Sequence, residues 1–248
     1  MNQYSDFAFV YDELMHDVDY DNWVKYIEDI IKSENVQVQN ILELACGTGN
    51  LTIPLTKKNY DIAGIDISEE MLQVAREKAE KENVELVLLE QDIVELDFDV
   101  TNLDCILCGC DGFNYITYDE DLEGVFAKCH ELLKENGLFI FDISSYYKLS
   151  TVLGNNMYGE NRENVAYMWQ NYFDDYENLV EMDLAFFVKG EDGRFDKFEE
   201  NHLQRAYKNE EIIELLKNAG FKNIKTYGDF KLEAPQKDSE RVFFVCKK

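Results

Sequence analysis

The stretch Ile41-Leu42-Glu43-Leu44-Ala45-Cys46-Gly47-Thr48-Gly49 decides how this chain folds. An apolar run suited to a buried strand ends in a turn of small residues, and a helix is predicted beyond it over 51–58. A strand–turn–helix junction of this kind lets a ligand approach backbone N–H groups at a helix N-terminus. On either side the same alternation continues. Strands are predicted over 40–45, 60–66, 85–90, 103–108 and 138–143, each separated from the next by enough chain for a helix. That spacing argues for a mostly parallel sheet with helices on both faces.

The helices carry their own signals. Trp23, Tyr26, Ile27, Ile30 and Ile31 recur at helical spacing over 20–31, ahead of the first strand. Ser68 can cap the helix after the second strand, with Glu69 and Glu70 at its positive end. Thr117 and Glu120 have capping-box spacing, and the helix they predict aligns Leu122, Val125, Phe126, Cys129, Leu132 and Leu133 before Gly137 ends it. Between 146 and 207 the texture changes. Val180, Met182, Leu184, Phe186 and Val188 alternate with polar or exposed positions, Gly190-Glu191-Asp192-Gly193 reads as a hairpin turn, and 164–173 and 195–207 are predicted partner strands. The first pattern then resumes, with a helix striped by Ile212, Ile213, Leu216 and Ala219 and closed by Gly220, and strands over 222–227 and 241–246. The organisation is α/β: a core over 1–145, an antiparallel β insert over 146–207 that should sit above the carboxyl edge of the sheet, and the rest of the core over 208–248.

Composition narrows the function. The 248 residues include 24 Lys+Arg against 51 Asp+Glu, a net charge of -27, yet 46% are hydrophobic, enough for a sizeable core. Such a surface repels phosphate backbones and anionic membranes, so neither nucleic acid nor membrane is expected as a partner. The start of the chain carries Asp6, Asp12 and Glu13 where a signal peptide needs positive charge. No apolar run nears the ~18 residues of a membrane span, and a cytoplasmic protein is expected. Cys105, Cys108 and Cys110 lie in an apolar run and read as small buried strand residues; a zinc site wants ligands on turns and a second pair or histidines.

The charges around the glycine turn say what it binds. A lone G-x-G is weak evidence, and the dinucleotide fingerprint would want a third glycine where this chain has Thr52. Glu43 leads into the loop, Asp66 ends the second strand, Asp92 follows the third, and no Lys or Arg occurs between Asn40 and Thr56. A pyrophosphate would be poorly complemented there, whereas an adenosyl ligand bearing a sulfonium and an amino group would be favoured.

With these residues in place, the chain resembles the class I S-adenosylmethionine-dependent methyltransferases along essentially its whole length. Residues 43–49 look like their first motif, Gly64-Ile65-Asp66-Ile67-Ser68-Glu69-Glu70-Met71-Leu72 like the second, and Glu90-Gln91-Asp92-Ile93 like the third. The resemblance implies a Rossmann-like, mostly parallel seven-stranded sheet and S-adenosylmethionine as cofactor. It assigns the loop from Glu43 through Ala45, Cys46, Gly47 and Gly49 to the methionine part, Asp66 to the ribose hydroxyls, Ile67 and Met71 to the adenine face, and Asp92 with Ile93 to the adenine edge. It also places Tyr11, Gln91 and Cys108 around the cofactor. Ala45 departs from the pattern, since many members have glycine there.

The segment Tyr4-Ser5-Asp6-Phe7-Ala8-Phe9-Val10-Tyr11-Asp12 and the insert look like those of YqeM-like methyltransferases and, more distantly, of sugar N,N-dimethyltransferases. That likeness makes Tyr4 and Tyr115 candidates for the acceptor side, with a small molecule, for instance an amine, as acceptor. Asp111-Gly112-Phe113-Asn114-Tyr115-Ile116 follows the fourth strand, where open α/β sheets place ligands. On the last insert strand, His202 is a candidate base and Arg205 would suit a carboxylate; strand alternation puts them on opposite faces, so at most one faces the acceptor. Two other readings compete: a non-catalytic protein that binds the cofactor or its demethylated product, and a nicotinamide oxidoreductase, which Thr52 and the loop charge disfavour. The sequence leaves open whether nitrogen, oxygen or carbon is methylated, and it fixes no oligomeric state.

Overall fold

The apolar runs become adjacent strands in the computed structural model, which describes residues 8–97, 100–190 and 192–248. β1 (Asn40–Leu44), β2 (Asp61–Asp66), β3 (Val87–Glu90), β4 (Leu103–Cys108) and β5 (Leu133–Ser144) run parallel. The chain then forms β6 (Met157–Asn161), β7 (Val165–Asp174), β8 (Leu179–Lys189) and β9 (Phe195–Arg205), and returns to the first sheet as β10 (Asn223–Gly228) and β11 (Arg241–Lys247). The seven-stranded order is β10-β11-β5-β4-β1-β2-β3, with β11 antiparallel to both neighbours. The chain moves outward from β1 to β3 and then jumps back across β1 to start β4. That reversal opens a crevice beyond the carboxyl ends of β1 and β4, where an open α/β sheet can take a ligand.

Both faces of the sheet are buried, which explains the continuous apolar runs of its inner strands. On β4, Ile106 and Cys108 join one core with α5 (Asp119–Leu132) and α6 (Asn209–Asn218). Cys105 and Leu107 point the other way, into a core with α2 (Tyr20–Ser33) and α3 (Thr52–Lys57). Asp19 caps α2, its carboxylate accepting from the Asn22 N–H at 3.0 Å. Ser68 caps α4 (Glu69–Lys81), its hydroxyl accepting from the Met71 N–H at 3.2 Å. Gly220 follows α6 at φ +106, a conformation that costs glycine little.

Two boundary expectations are corrected. Tyr118, not Thr117, precedes α5 and makes no side-chain cap bond, so the Thr117–Glu120 capping box does not form. Thr117 instead offers its carbonyl to the Arg205 guanidinium at 3.0 Å. α5 also ends at Leu132, because Leu133 turns extended and pairs with Leu103 of β4. Gly137 is therefore a strand residue, and a Cβ there would stand 2.9 Å from the Lys134 carbonyl and 3.1 Å from that of Leu103.

β6 to β9 form a separate antiparallel sheet in chain order. β6 has no counterpart in the sequence reading, and neither does a π-helical turn over Lys148–Leu153. Lys-Leu-Ser-Thr-Val-Leu is poor helix material, and packing decides its shape: Leu149 and Leu153 sit against Val180, Met182 and Ala206. The apolar face of β8 thus first covers residues of its own insert.

One side chain ties insert to core. Asn114 is fully buried; its amide donates to the carbonyls of Arg205 at 2.8 Å and Ser144 at 3.2 Å, and its oxygen accepts from the Ser144 N–H at 2.9 Å. Asn114→Leu strands all three backbone groups and is expected to destabilise the protein by about 3 kcal/mol, read as a lower denaturation midpoint at unchanged slope.

Candidate active site

The site grows from the turn after β1. Ala45 adopts φ +52, Gly47 φ +53 and Gly49 φ +75, a left-handed series that the two glycines accept freely and Ala45 at some strain. The Cys46 N–H donates to the Ile65 carbonyl at 2.9 Å, holding the loop to β2. The Gly47 N–H then donates to one oxygen of Asp66 at 2.7 Å, and the Ser68 N–H to the other at 2.9 Å. Burial raises the Asp66 carboxyl above its usual range, opposed by these N–H donors. A Cβ built on Gly47 would meet nothing within 4 Å, so this face of the loop is open.

Above the loop lies a space of about 310 Å³. Ala45, Cys46, Gly47, Thr48, Asn50 and Leu51 form its floor, Gly109 and Cys110 beyond β4 its wall, and Glu43 reaches in from β1. Tyr20 of α2 and Tyr11 of α1 (Ala8–Leu14) close the top. α1 is held there by Asp12, which accepts from the Thr48 hydroxyl at 2.7 Å and the Asn50 amide at 2.9 Å and pairs with Lys78 at 2.7 Å. Burial pushes the Glu43 carboxyl up to about 8, and its partner is the Thr52 hydroxyl at 2.6 Å. Thr52, which breaks the dinucleotide pattern, thus supports the acid on the floor. Among the described residues, no Lys or Arg lines this space.

The other expected cofactor residues follow the neighbouring strand ends. Ile67 is 57% exposed immediately after β2, an apolar surface that the described residues leave open. Met71 is buried on the first turn of α4. The Asp92 carboxylate accepts from the Val94 N–H at 2.9 Å and caps a short 3-10 turn that includes Ile93. The Gln91 side chain turns toward the Asp97 carbonyl, at 3.2 Å. Cys108 is not in the lining: its side chain belongs to the apolar core, and the cavity wall is made by Gly109 and Cys110 after it. Tyr20, Thr48, Asn50, Leu51, Gly109 and Cys110 are the lining residues that the sequence reading missed. Asn50 and Leu51 could have been inferred from adjacency to the loop, whereas Tyr20 reaches the site only through the docking of α2.

Beside the cavity mouth, the 3-10 turn Gly112–Tyr115 points Phe113 and Asn114 inward and leaves Tyr115 39% exposed. Phe113 packs edge-on against Phe126 and Phe141, which anchors the turn. The Tyr115 ring stands 5.8 Å from the His202 ring, so β9 brings a histidine to this turn. His202 is only 4% exposed, and burial lowers its pKa to about 4. Arg205 lies on the opposite face of β9 and pairs with Asp119 at 3.0 Å, a structural contact that takes it out of the acceptor role. Tyr4 lies outside the described residues.

A cavity that holds Glu43 and, among the described residues, no Lys or Arg, with an open glycine face and an exposed apolar residue after β2, suits a cationic adenosyl ligand and leaves a pyrophosphate without a countercharge. Fold and site together define a class I methyltransferase that uses S-adenosylmethionine. Residues 41–137 match the methyltransferase domain family. YqeM of Bacillus subtilis (strain 168), described as a methyltransferase, is 37% identical over 99% of this chain and 97% of its own. The crystal structure of an S-adenosylmethionine-dependent methyltransferase from Clostridium acetobutylicum is 40% identical, with a TM-score of 0.88 over 98% of both chains. A sugar N-methyltransferase, KedS8 from Streptoalloteichus, shares the fold at 17% identity, with a TM-score of 0.80 over 96% of this chain and 92% of its own. The chain belongs to the S-adenosylmethionine-dependent methyltransferases, in their YqeM-like group.

Proposed function

We propose that this methyltransferase acts on a small-molecule amine in the cytoplasm. The observation that carries this reading is a chain of neighbours leading away from the cofactor cavity: Tyr11 lines it, Tyr115 lies near Tyr11, and the neutral His202 of β9 stands 5.8 Å from the Tyr115 ring. KedS8, whose description names an N-methyltransferase, adds weight. Six free cysteines fit a reducing compartment, and among the described residues no helix is long and apolar enough to cross a membrane.

S-adenosylmethionine, when bound, supplies a methyl group on a sulfonium that is already a good leaving group. The chain's residues supply alignment. In this reading Glu43 and the glycine loop hold the methionine end, Asp66 takes the ribose hydroxyls, Ile67 and Met71 cover the adenine, and Asp92 with Ile93 meets its edge. Tyr11 excludes water from above. Tyr115 and His202 orient the nucleophile, since an imidazole that stays neutral can accept a hydrogen bond from an uncharged amine. Supplying isotopically labelled methyl donor with a panel of small primary and secondary amines tests this. Label should appear in an amine product; binding of the donor with no transfer to any acceptor would favour a non-catalytic, cofactor-binding protein instead.

Glu43 gives the cofactor site a pH signature. Below about 8 the free protein holds Glu43 protonated, whereas a bound cation favours the carboxylate. Binding should therefore release a proton, and S-adenosylmethionine affinity should rise between pH 6 and 8 by up to about tenfold per unit, then level off. Calorimetry in buffers of different ionisation enthalpy reads the released proton, and Glu43→Gln should flatten the profile. Nucleic acid is not a substrate in this reading: with a net charge of -27, filter binding to tRNA should show no salt-sensitive retention at physiological ionic strength.

A further inference from the structure

Beyond β4 the backbone does something costly. Cys110 and Asp111 both adopt φ +55, two successive left-handed residues without a glycine. The result sets the Asp111 carboxylate between the cofactor cavity, which Cys110 lines, and the insert, from which Gln204 donates to it at 3.2 Å. Its other oxygen pairs with Arg241 at 2.9 Å. The same guanidinium also pairs with Asp142 at the end of β5 and lies over the Trp23 ring at 5.1 Å. Asp142 accepts from the Asp111 N–H at 3.1 Å, while its second oxygen, fully buried, has no hydrogen-bond partner among the described residues.

Two carboxylates thus share one guanidinium, leaving a cluster with one surplus negative charge in a mostly buried setting. Asp142 is sealed in, but 20% of the Asp111 side chain is exposed, and Tyr11 and Tyr115 stand beside it. Each carboxylate oxygen retains a lone pair after its bond to Arg241 or Gln204. We propose that Asp111, fixed by Arg241 and Gln204, recognises the cationic nitrogen of the acceptor and stabilises the charge that moves onto it during transfer. This rests on the amine reading above.

The electron balance assigns that role a purpose. A bound ammonium first loses one proton to solvent. The freed lone pair forms the N–CH3 bond while the S–CH3 bond breaks, its electron pair staying on sulfur, so positive charge leaves sulfur and arrives on nitrogen. A carboxylate on the nitrogen side is stronger in the transition state than an uncharged group would be. His202, held neutral, cannot offer this.

The test needs no known acceptor. Sinefungin carries a protonated amine on the carbon that replaces the methylsulfonium, whereas S-adenosylhomocysteine is neutral there. Calorimetry on the full chain should find sinefungin bound at least about tenfold more tightly, and Asp111→Asn should lose most of that preference while S-adenosylhomocysteine affinity stays within about threefold. A wild-type protein with no preference, or a variant that keeps it, overturns the proposal. Should Asp111→Asn fail to fold, Asp111→Glu keeps the pair with Arg241 and displaces the carboxylate; the preference should then change by at least about threefold, and an unchanged ratio overturns the assignment. Failure of the amine reading would look different: the sinefungin preference would hold while no amine became labelled.

Discussion

Asp66→Ala is expected to weaken S-adenosylmethionine and S-adenosylhomocysteine alike, by about a hundredfold or more. The loss has two sources. In the proposed reading the carboxylate accepts from the ribose hydroxyls, and such charged hydrogen bonds contribute about 1.5–3 kcal/mol each. The Gly47 and Ser68 N–H groups that it now accepts from would also lose their partner, freeing the glycine loop and the first turn of α4. Asp66→Asn should recover little, because its amide would present N–H to N–H at one of the two positions. Isothermal titration on both variants checks this, with circular dichroism confirming the fold. An Asp66→Ala protein that bound both compounds as the wild type does would remove Asp66 from the site.

The second large effect concerns the insert. Its removal is expected to spare cofactor binding and to lower methyl transfer by at least about a thousandfold, because alignment of the acceptor is lost while the glycine loop, Glu43 and Asp66 remain. The structure sets where to cut. Residues 205–207 must stay: Arg205 binds the Thr117 carbonyl and Asp119, its own carbonyl takes the Asn114 amide, and the buried Tyr207 hydroxyl donates to the Ile116 carbonyl at 2.7 Å. Excision over 157–203 leaves a gap of about 15 Å across four strands, and a Gly-Ser linker of about ten residues spans it. Turnover near the wild-type rate with an established acceptor would make the insert peripheral and leave the acceptor pocket to be sought around Tyr4 and Tyr115 alone.

The methyl donor and the fold were legible before any coordinates. Residues 41–49 are local information: a buried strand, left-handed turn positions and a helix start all lie within one contiguous segment, and the acids at 43, 66 and 92 end or follow strands whose periodicity is plain. The antiparallel insert was also legible, because Val180, Met182, Leu184, Phe186 and Val188 of β8 recur at every second position ahead of a glycine turn. Other features belong to tertiary structure because their causes are distant in sequence. Leu133 leaves the helical pattern to pair with Leu103, so Gly137, a good helix terminator by sequence, becomes a strand residue. The turn at 148–153 is held by packing on Val180 and Met182 against weak local propensity. Tyr20 reaches the cavity only once α2 has docked, and Arg205 turns out structural because Asp119 lies across from it. Sequence alone determined what the chain binds, since cofactor capture is built from consecutive residues at strand ends. The cluster beyond β4 was decided by the fold, since Asp111, Arg241, Gln204 and His202 come from three separate parts of the chain and become neighbours of that turn only where β9 and β11 pack beside it.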